Sequence, residues 1–141
     1  MNAKQENSRK YIGLILCSRD TAWACRFEDH WIVGNRMMGT LEHRDFLQGV
    51  LEVSARGNTC VVIEDIDVAP KKPASRKTFA LLNEVLKMCK ELKLEHMIVH
   101  RSDWTRSVEI DTCVSRTGLE TVTETEKNAI CLCMYAEKTW G

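Results

Sequence analysis

The sequence lacks a strong net charge, a long apolar run and a secretory signal, which mark several large protein classes. It contains two prolines, and its 20 basic residues are balanced by 20 acidic ones, so it lacks the overall positive charge of a histone-like protein. No apolar run reaches the roughly 20 residues that a membrane-spanning helix requires, and we expect no membrane association. Residues 1–10 are polar, which predicts a disordered leader and is not the pattern of a secretory signal. A nucleic-acid surface on this chain must therefore be a local patch.

Motifs for several kinds of chemistry are missing as well. There is no glycine-rich phosphate loop, no serine or cysteine in a nucleophile elbow, and no metal-ligand spacing among the four histidines. The seven cysteines are odd in number and mostly have apolar neighbours, and the pair Cys131 and Cys133 lacks partners at zinc-like spacing. We expect reduced, mostly buried thiols and a cytoplasmic location.

What the sequence does contain is an ordered series of apolar segments. Continuous or β-branched apolar runs predict five strands, and apolar residues at helical spacing predict three helices. The predicted order is β-β-β-α-β-α-β-α, with a single domain over 11–141. Three strands joined by short turns, followed by two helix–strand units, predict an α/β fold with a mixed five-stranded sheet and helices on both faces, as in the ribonuclease H-like fold. The predicted strands are Tyr11–Cys17, Thr21–Phe27, Trp31–Met38, Thr59–Asp65 and Leu94–His100, and the predicted helices are Leu41–Ala55, 75–93 and Glu124–Lys138.

Four segments, in fold order, resemble RuvC-type Holliday junction resolvases. The opening segment 12–24 has the family's glycine, serine and threonine in matching places, and Val61–Asp65 is similar to the strand whose glutamate is a metal ligand. Trp104 resembles an aromatic residue that follows the fifth strand. The segment 124–130 is similar to the start of the last helix. The resemblance covers about residues 11–138 and implies a domain that acts on branched DNA in recombination.

The acidic residues of this family are largely replaced. Hydrolysis of phosphodiesters with two metal ions needs several carboxylates, because two divalent cations must be held by hard oxygen ligands. Ile15 stands where the family has its central aspartate, Asn128 replaces the aspartate of the last helix, and Thr125 stands where another acid is expected. Of the family's acidic positions, the one at Glu64 still carries an acid. The resemblance therefore implies a degenerate catalytic site, with Glu64 as a relic and with no metal cofactor expected.

A rearranged acidic cluster is the alternative. Glu64, Glu124 and Glu126, with Asp20 as a further candidate, would then hold Mg²⁺ or Mn²⁺, and the chain would be an active junction endonuclease. Asp20 lies in the first turn, about five residues beyond the required position, which is far for a simple replacement.

Basic residues near the predicted site suggest nucleic-acid contact. Lys71, Lys72, Arg76 and Lys77 place four positive charges within seven residues, directly after the strand that carries Glu64. The bland interpretation is a solvated loop that leads into a helix. Arg101 and Arg106 flank Trp104 and would extend the patch, although Trp104 also fits a core aromatic.

These observations predict a pseudo-nuclease of RuvC type that binds branched or structured DNA, or RNA, or a protein partner, without cutting. The family resemblance further implies a homodimer, and the short single domain is similar to phage or viral resolvases. A protein-interaction module with no role in nucleic-acid binding is a third hypothesis.

Overall fold

The computed structural model describes most of the chain. The described residues are 9–16, 20–27, 30–37, 45, 48–52, 58–65, 73–106, 108–120 and 122–140. Residues 1–8 of the predicted leader, and the lysines at 71 and 72, lie outside them.

Five strands form one mixed sheet. They are β1 (Lys10–Leu16), β2 (Asp20–Phe27), β3 (His30–Met37), β4 (Thr59–Glu64) and β5 (Glu95–Val99). The spatial order is β3-β2-β1-β4-β5. The first three strands are antiparallel neighbours, whereas β4 runs parallel to both β1 and β5. This topology confirms the ribonuclease H-like α/β architecture predicted from the order of the segments.

Four helices are completely bounded in the described residues. They are α1 (Pro73–Glu91), α2 (Arg101–Thr105), α3 (Ile110–Thr117) and α4 (Glu124–Trp140). Residues 45 and 48–52, within the predicted helix Leu41–Ala55, are helical too. No helix in the described part of the chain is long and apolar enough to cross a membrane.

Both faces of the central strands β1 and β4 are buried, because their side chains alternate between two separate apolar cores. Tyr11 and Ile15 of β1 pack in the core beneath α4, which we call the α4 face. Leu14 and Leu16 point to the other side and pack with the apolar residues of α1. The nearly continuous apolar run in the first strand thus has the burial expected for a central strand.

Several boundaries differ from the prediction. Lys10 belongs to β1 and not to the leader, and its backbone N–H donates to the carbonyl oxygen of Asn58. The helix predicted over 75–93 begins at Pro73, so Ser75 lies inside the first turn and is not the N-cap. A proline fits the first turn of a helix, because the N–H groups there have no intrahelical acceptor.

The polar linker predicted after the fifth strand contains two short helices, α2 and α3. Both helices contain few apolar residues, and α3 has a single buried residue, Cys113. α3 ends at Gly118, whose φ of 74° is the left-handed conformation that glycine adopts most easily. Few apolar residues and a length of one or two turns explain why periodicity missed both helices.

The backbone of α4 approaches the sheet closely at Gly13 of β1. A Cβ atom there would overlap the carbonyl oxygen of Ala129 and lie 2.9 Å from the backbone nitrogen of Cys133. The thiol of Cys133 also donates to the carbonyl oxygen of Tyr11 over 3.2 Å. Gly13 therefore sets how α4 sits over β1.

We predict that Gly13→Ala lowers the free energy of unfolding by about 1–3 kcal/mol, because the new methyl group overpacks a backbone contact that cannot yield easily. Gly49→Ala is the matched control, since Gly49 is helical and a methyl group added there would have no atom within 4 Å. It should be neutral or stabilising by up to about 1 kcal/mol. Urea unfolding measures both, and an unchanged midpoint for Gly13→Ala would contradict the packing described.

Candidate functional site

The carboxyl ends of β1 and β4 carry the residues that correspond to the expected site. Leu14 pairs with Ile63 in the parallel register, so the next residues, Ile15 and Glu64, lie side by side at this edge of the sheet. Ile15 is 1% exposed and packs in the core of the α4 face. A buried apolar side chain thus lies beside Glu64, at the position for which the family resemblance implies a carboxylate.

Glu64 is half-buried and accepts a hydrogen bond from the indole of Trp104. The Nε1–H group of Trp104 donates to Oε2 of Glu64 over 2.7 Å, and the Trp104 side chain is fully buried. A buried indole N–H needs an acceptor, and a bond to a carboxylate is stronger than one between neutral groups. The carboxylate of Glu64 consequently has a structural partner within the fold.

A second pair ties the ends of β4 and β5 together. Asp65 follows Glu64, and its Oδ2 lies 3.2 Å from Nδ1 of His100. The backbone N–H of Asp65 donates to the carbonyl oxygen of Val99 over 2.8 Å. His100 is also the N-cap residue of α2, and its carbonyl oxygen accepts from the backbone N–H groups of Asp103 and Trp104. These contacts hold α2, and with it Trp104, against the end of β4.

Glu126 is part of the N-terminal cap of α4. Its Oε1 accepts from the backbone N–H of Thr123 over 2.8 Å, and the Thr123 hydroxyl accepts from the backbone N–H of Glu126 over 3.2 Å. This reciprocal pair is a capping box. The side-chain amide of Asn35, in β3, donates to the same hydroxyl and attaches this end of α4 to the sheet. Helix capping therefore accounts for Glu126 without a metal.

Glu124 points into solvent. Its side chain is 82% exposed, and Oε1 lies 3.2 Å from the ammonium group of Lys127. Thr125 and Asn128 are half-buried in the first two turns of α4, and Ala129, the residue after Asn128, contacts Gly13 of β1. Both neutral replacements thus stand where α4 begins to cross the sheet.

These residues do not fit a site for two divalent cations. Among the residues described, no group of three His, Cys, Asp or Glu side chains is placed to hold a metal ion, so Glu64, Glu124 and Glu126 do not form the rearranged cluster considered above. Ile15 has no donor atom, and the carboxylate of Glu64 is bonded to Trp104. Asp20 is the first residue of β2, and its side chain lies outside the described part.

The predicted nucleic-acid residues divide into three groups. Arg76 and Lys77 lie in the first turns of α1, and Arg101 begins α2, although the side chains of these three are outside the described part. Arg106, the C-cap residue of α2, is exposed. The prediction that Trp104 contacts nucleic acid is wrong. Its side chain is fully buried, so it packs in the core and cannot stack on a base.

The two pairs, Glu64 with Trp104 and Asp65 with His100, were not predicted. The partners are 40 positions apart in the first pair and 35 in the second, and both pairs depend on the placement of α2, a five-residue helix. The only sequence signal was an acidic doublet at the end of a buried strand. Spacing alone gives no means of matching that doublet to residues beyond the next strand.

Solved structures with the same fold include two of RuvC from Thermus thermophilus. One, in complex with a Holliday junction substrate, matches with a TM-score of 0.74 at 10% sequence identity, covering 94% of this chain and 97% of that chain. The other matches with a TM-score of 0.66 at 11% identity, covering 92% and 95%. No family model and no curated protein matches the chain. The similarity shows that the chain has the RuvC-type, ribonuclease H-like fold.

We predict that Glu64 and Trp104 are energetically coupled. Glu64→Leu, Trp104→Phe and the double variant should give a coupling free energy of about 1–3 kcal/mol in urea unfolding, because a hydrogen bond to a charged group is lost only once in the double variant. Glu64→Gln keeps an acceptor oxygen and should cost less than Glu64→Leu.

The control pairs Trp104→Phe with Glu52→Leu. Glu52 is exposed among the helical residues 48–52 and accepts a hydrogen bond from Gln48. The effects of these two changes should add within about 0.5 kcal/mol. Strict additivity for Glu64 and Trp104 as well would refute a structural role for their hydrogen bond.

Proposed function

We propose that this chain is a catalytically degenerate, RuvC-like protein that binds branched or structured DNA without cutting it. The observation that carries the proposal is the buried Ile15, which lies beside Glu64 at the carboxyl edge of β1 and β4. Isoleucine offers no oxygen to a metal ion, and restoring a carboxylate there would bury a charge under α4.

The partners of the acidic residues support the same proposal. Glu64 accepts the Trp104 indole, Glu126 caps α4, and Glu124 pairs with Lys127 in solvent. Each of these three carboxylates has a role that explains it without catalysis. This arrangement favours a pseudo-nuclease over the active, Mg²⁺- or Mn²⁺-dependent endonuclease.

DNA binding is proposed for the carboxyl edge of the sheet. β4 and β5 are parallel, so α1 must start at the carboxyl edge of β4 in order to return the chain to the amino end of β5. Arg76 and Lys77, in the first turns of α1, therefore belong to the same edge as Arg101 and Arg106 of α2. Lys71 and Lys72, immediately before α1 in the sequence, would add to this basic edge.

The similar RuvC structure was solved on a Holliday junction, and this supports a four-way junction as the first ligand to test. A junction presents two equivalent strands, so we propose that two copies of the chain bind it as a homodimer. The same proposal includes branched RNA and a protein partner as further binding partners of this chain.

We predict that a labelled four-way junction is retarded in a native gel, with two chains per junction, and is not cleaved with Mg²⁺ or Mn²⁺. Retardation should be weaker with a linear duplex of the same sequence. Glu64→Gln should leave both binding and the absence of cleavage unchanged, because it keeps the acceptor for the Trp104 indole.

Two outcomes would contradict this proposal. Symmetric cleavage that disappears in Glu64→Gln would show an active endonuclease with a rebuilt site. Failure to bind any junction, duplex or structured RNA at low salt would leave a protein-interaction module as the better hypothesis.

We predict that Arg76→Gln with Lys77→Gln reduces the salt dependence of junction binding. If each residue contacts one phosphate, the slope of log K against log salt should fall by about 2, because each contact contributes about 0.9. The double variant Lys87→Gln with Lys90→Gln removes the same charge from exposed positions near the other end of α1. This variant should leave the slope equal to that of the wild type within experimental error. An equal effect of both pairs would argue against a localised DNA surface.

A further inference from the structure

A cleft of about 560 Å³ lies between α3 and α4, away from the candidate site. It is lined by Cys113 of α3 and Met134 of α4, with Arg26 of β2 at one side. Cys25, next to Arg26, pairs with Ile12 near the start of β1, whereas Glu64 lies at the carboxyl end of the neighbouring β4. The cleft therefore lies toward the Cys25 end of β2, whereas Glu64 is at the carboxyl end of β4.

Two cysteines lie next to each other where α3 and α4 pack at this cleft. Cys113 is 6% exposed and lines the cleft, whereas Cys131 is fully buried, and both belong to the core of the α4 face. The thiol of Cys131 donates to the carbonyl oxygen of Ile110, 3.8 Å away, and Ile110 lies one turn before Cys113 on the same side of α3. Cys131 thus faces the side of α3 that carries Cys113.

Burial and the adjacent Cys113 thiol raise the pKa of the Cys131 thiol well above its usual range. A raised pKa keeps Cys131 protonated at neutral pH, so it is not the group that would react first with a reagent from solvent. Cys113, although largely buried, lines the cleft and is therefore the first of the two thiols that a reagent in the cleft meets. The two cysteines are therefore arranged as an outer thiol with a second thiol behind it.

We propose that Cys113 and Cys131 form a reversible dithiol–disulfide pair, oxidised by a small-molecule disulfide that enters the cleft between α3 and α4. This proposal does not depend on the function proposed above. It assigns a modification site to a cleft that the DNA hypothesis leaves unused.

The reaction is two successive thiol–disulfide exchanges. The thiolate of Cys113 attacks one sulfur of the disulfide RSSR, the S–S bond breaks, and the released thiolate takes up a proton as RSH. Cys131 then loses its proton and attacks the sulfur of Cys113, which forms the protein disulfide and releases the second RSH. Overall, the two cysteines lose two electrons and two protons, and RSSR gains both to become two RSH.

Oxidised glutathione is the test reagent, applied to the folded, reduced protein. After acid quenching, the oxidised chain should be lighter than the reduced chain by two hydrogen atoms before alkylation, and after alkylation it should carry two fewer alkyl groups. Trypsin should then release peptides 107–116 and 128–138 joined by a disulfide. Dithiothreitol should reverse the change, and the oxidised protein should have a higher Tm because the crosslink constrains the unfolded chain.

Single substitutions identify the two sulfur atoms. Cys131→Ala should stop the reaction at one glutathione on Cys113, whereas Cys113→Ala should give neither product. Cys133→Ala is the matched control, because Cys133 is also buried in α4 and lies in the same tryptic peptide, but its thiol points to Tyr11 of β1. This control should still form the disulfide. Circular dichroism checks that each variant folds, and Cys113→Val replaces any alanine variant that does not.

The proposal is overturned if folded wild-type protein forms no internal disulfide under conditions that oxidise it in urea. It is also overturned if Cys133→Ala abolishes the crosslink or if Cys131→Ala leaves it intact. None of these outcomes bears on junction binding, so failure here and failure of the proposed function are separate results.

Discussion

The contact between the backbone of α4 and Gly13 of β1 is the constraint on which the rest of the structure depends. With no side chain at Gly13, the carbonyl oxygen of Ala129 and the backbone nitrogen of Cys133 lie directly on the strand. The helix can then cover β1 and β2 and close the core that contains Ile15 and Trp104. Since α4 also carries Thr125 and Asn128, the same contact determines which residues stand above the end of β1.

Packing and hydrogen bonding account for the side chains at this edge of the sheet. A cluster of carboxylates is stable in a protein only when cations or donors compensate the negative charges. Here Ile15 removes one charge, and Trp104 donates to the acid that remains at the end of β4. The side chain that coordinates a metal in the family fits this fold as a structural acceptor. This physical distinction, rather than the missing acids alone, favours a pseudo-nuclease.

The carboxyl edge of the sheet and the cleft between α3 and α4 have different properties. The carboxyl edge of β4 and β5 leads into α1 and α2, which carry the arginines and lysine proposed to contact phosphates. The cleft has two adjacent thiols and a mixed set of charges. The six cysteines that the structure describes are all free thiols, and five of them are buried. Cys113 differs from the other buried thiols in lining this cleft.

The sequence by itself determined the order of the five strands and of the long helices α1 and α4, because apolar runs and helical periodicity follow directly from which faces are buried. It also determined that Ile15 and Asn128 cannot act as carboxylate ligands. Only the tertiary structure decided the partners of Glu64 and Asp65, the burial of Trp104 and the proximity of Cys113 to Cys131. These depend on α2 and α3, whose few apolar residues leave almost no periodic signal. Their positions are set by packing against residues distant in the chain, and spacing along the sequence does not encode that packing.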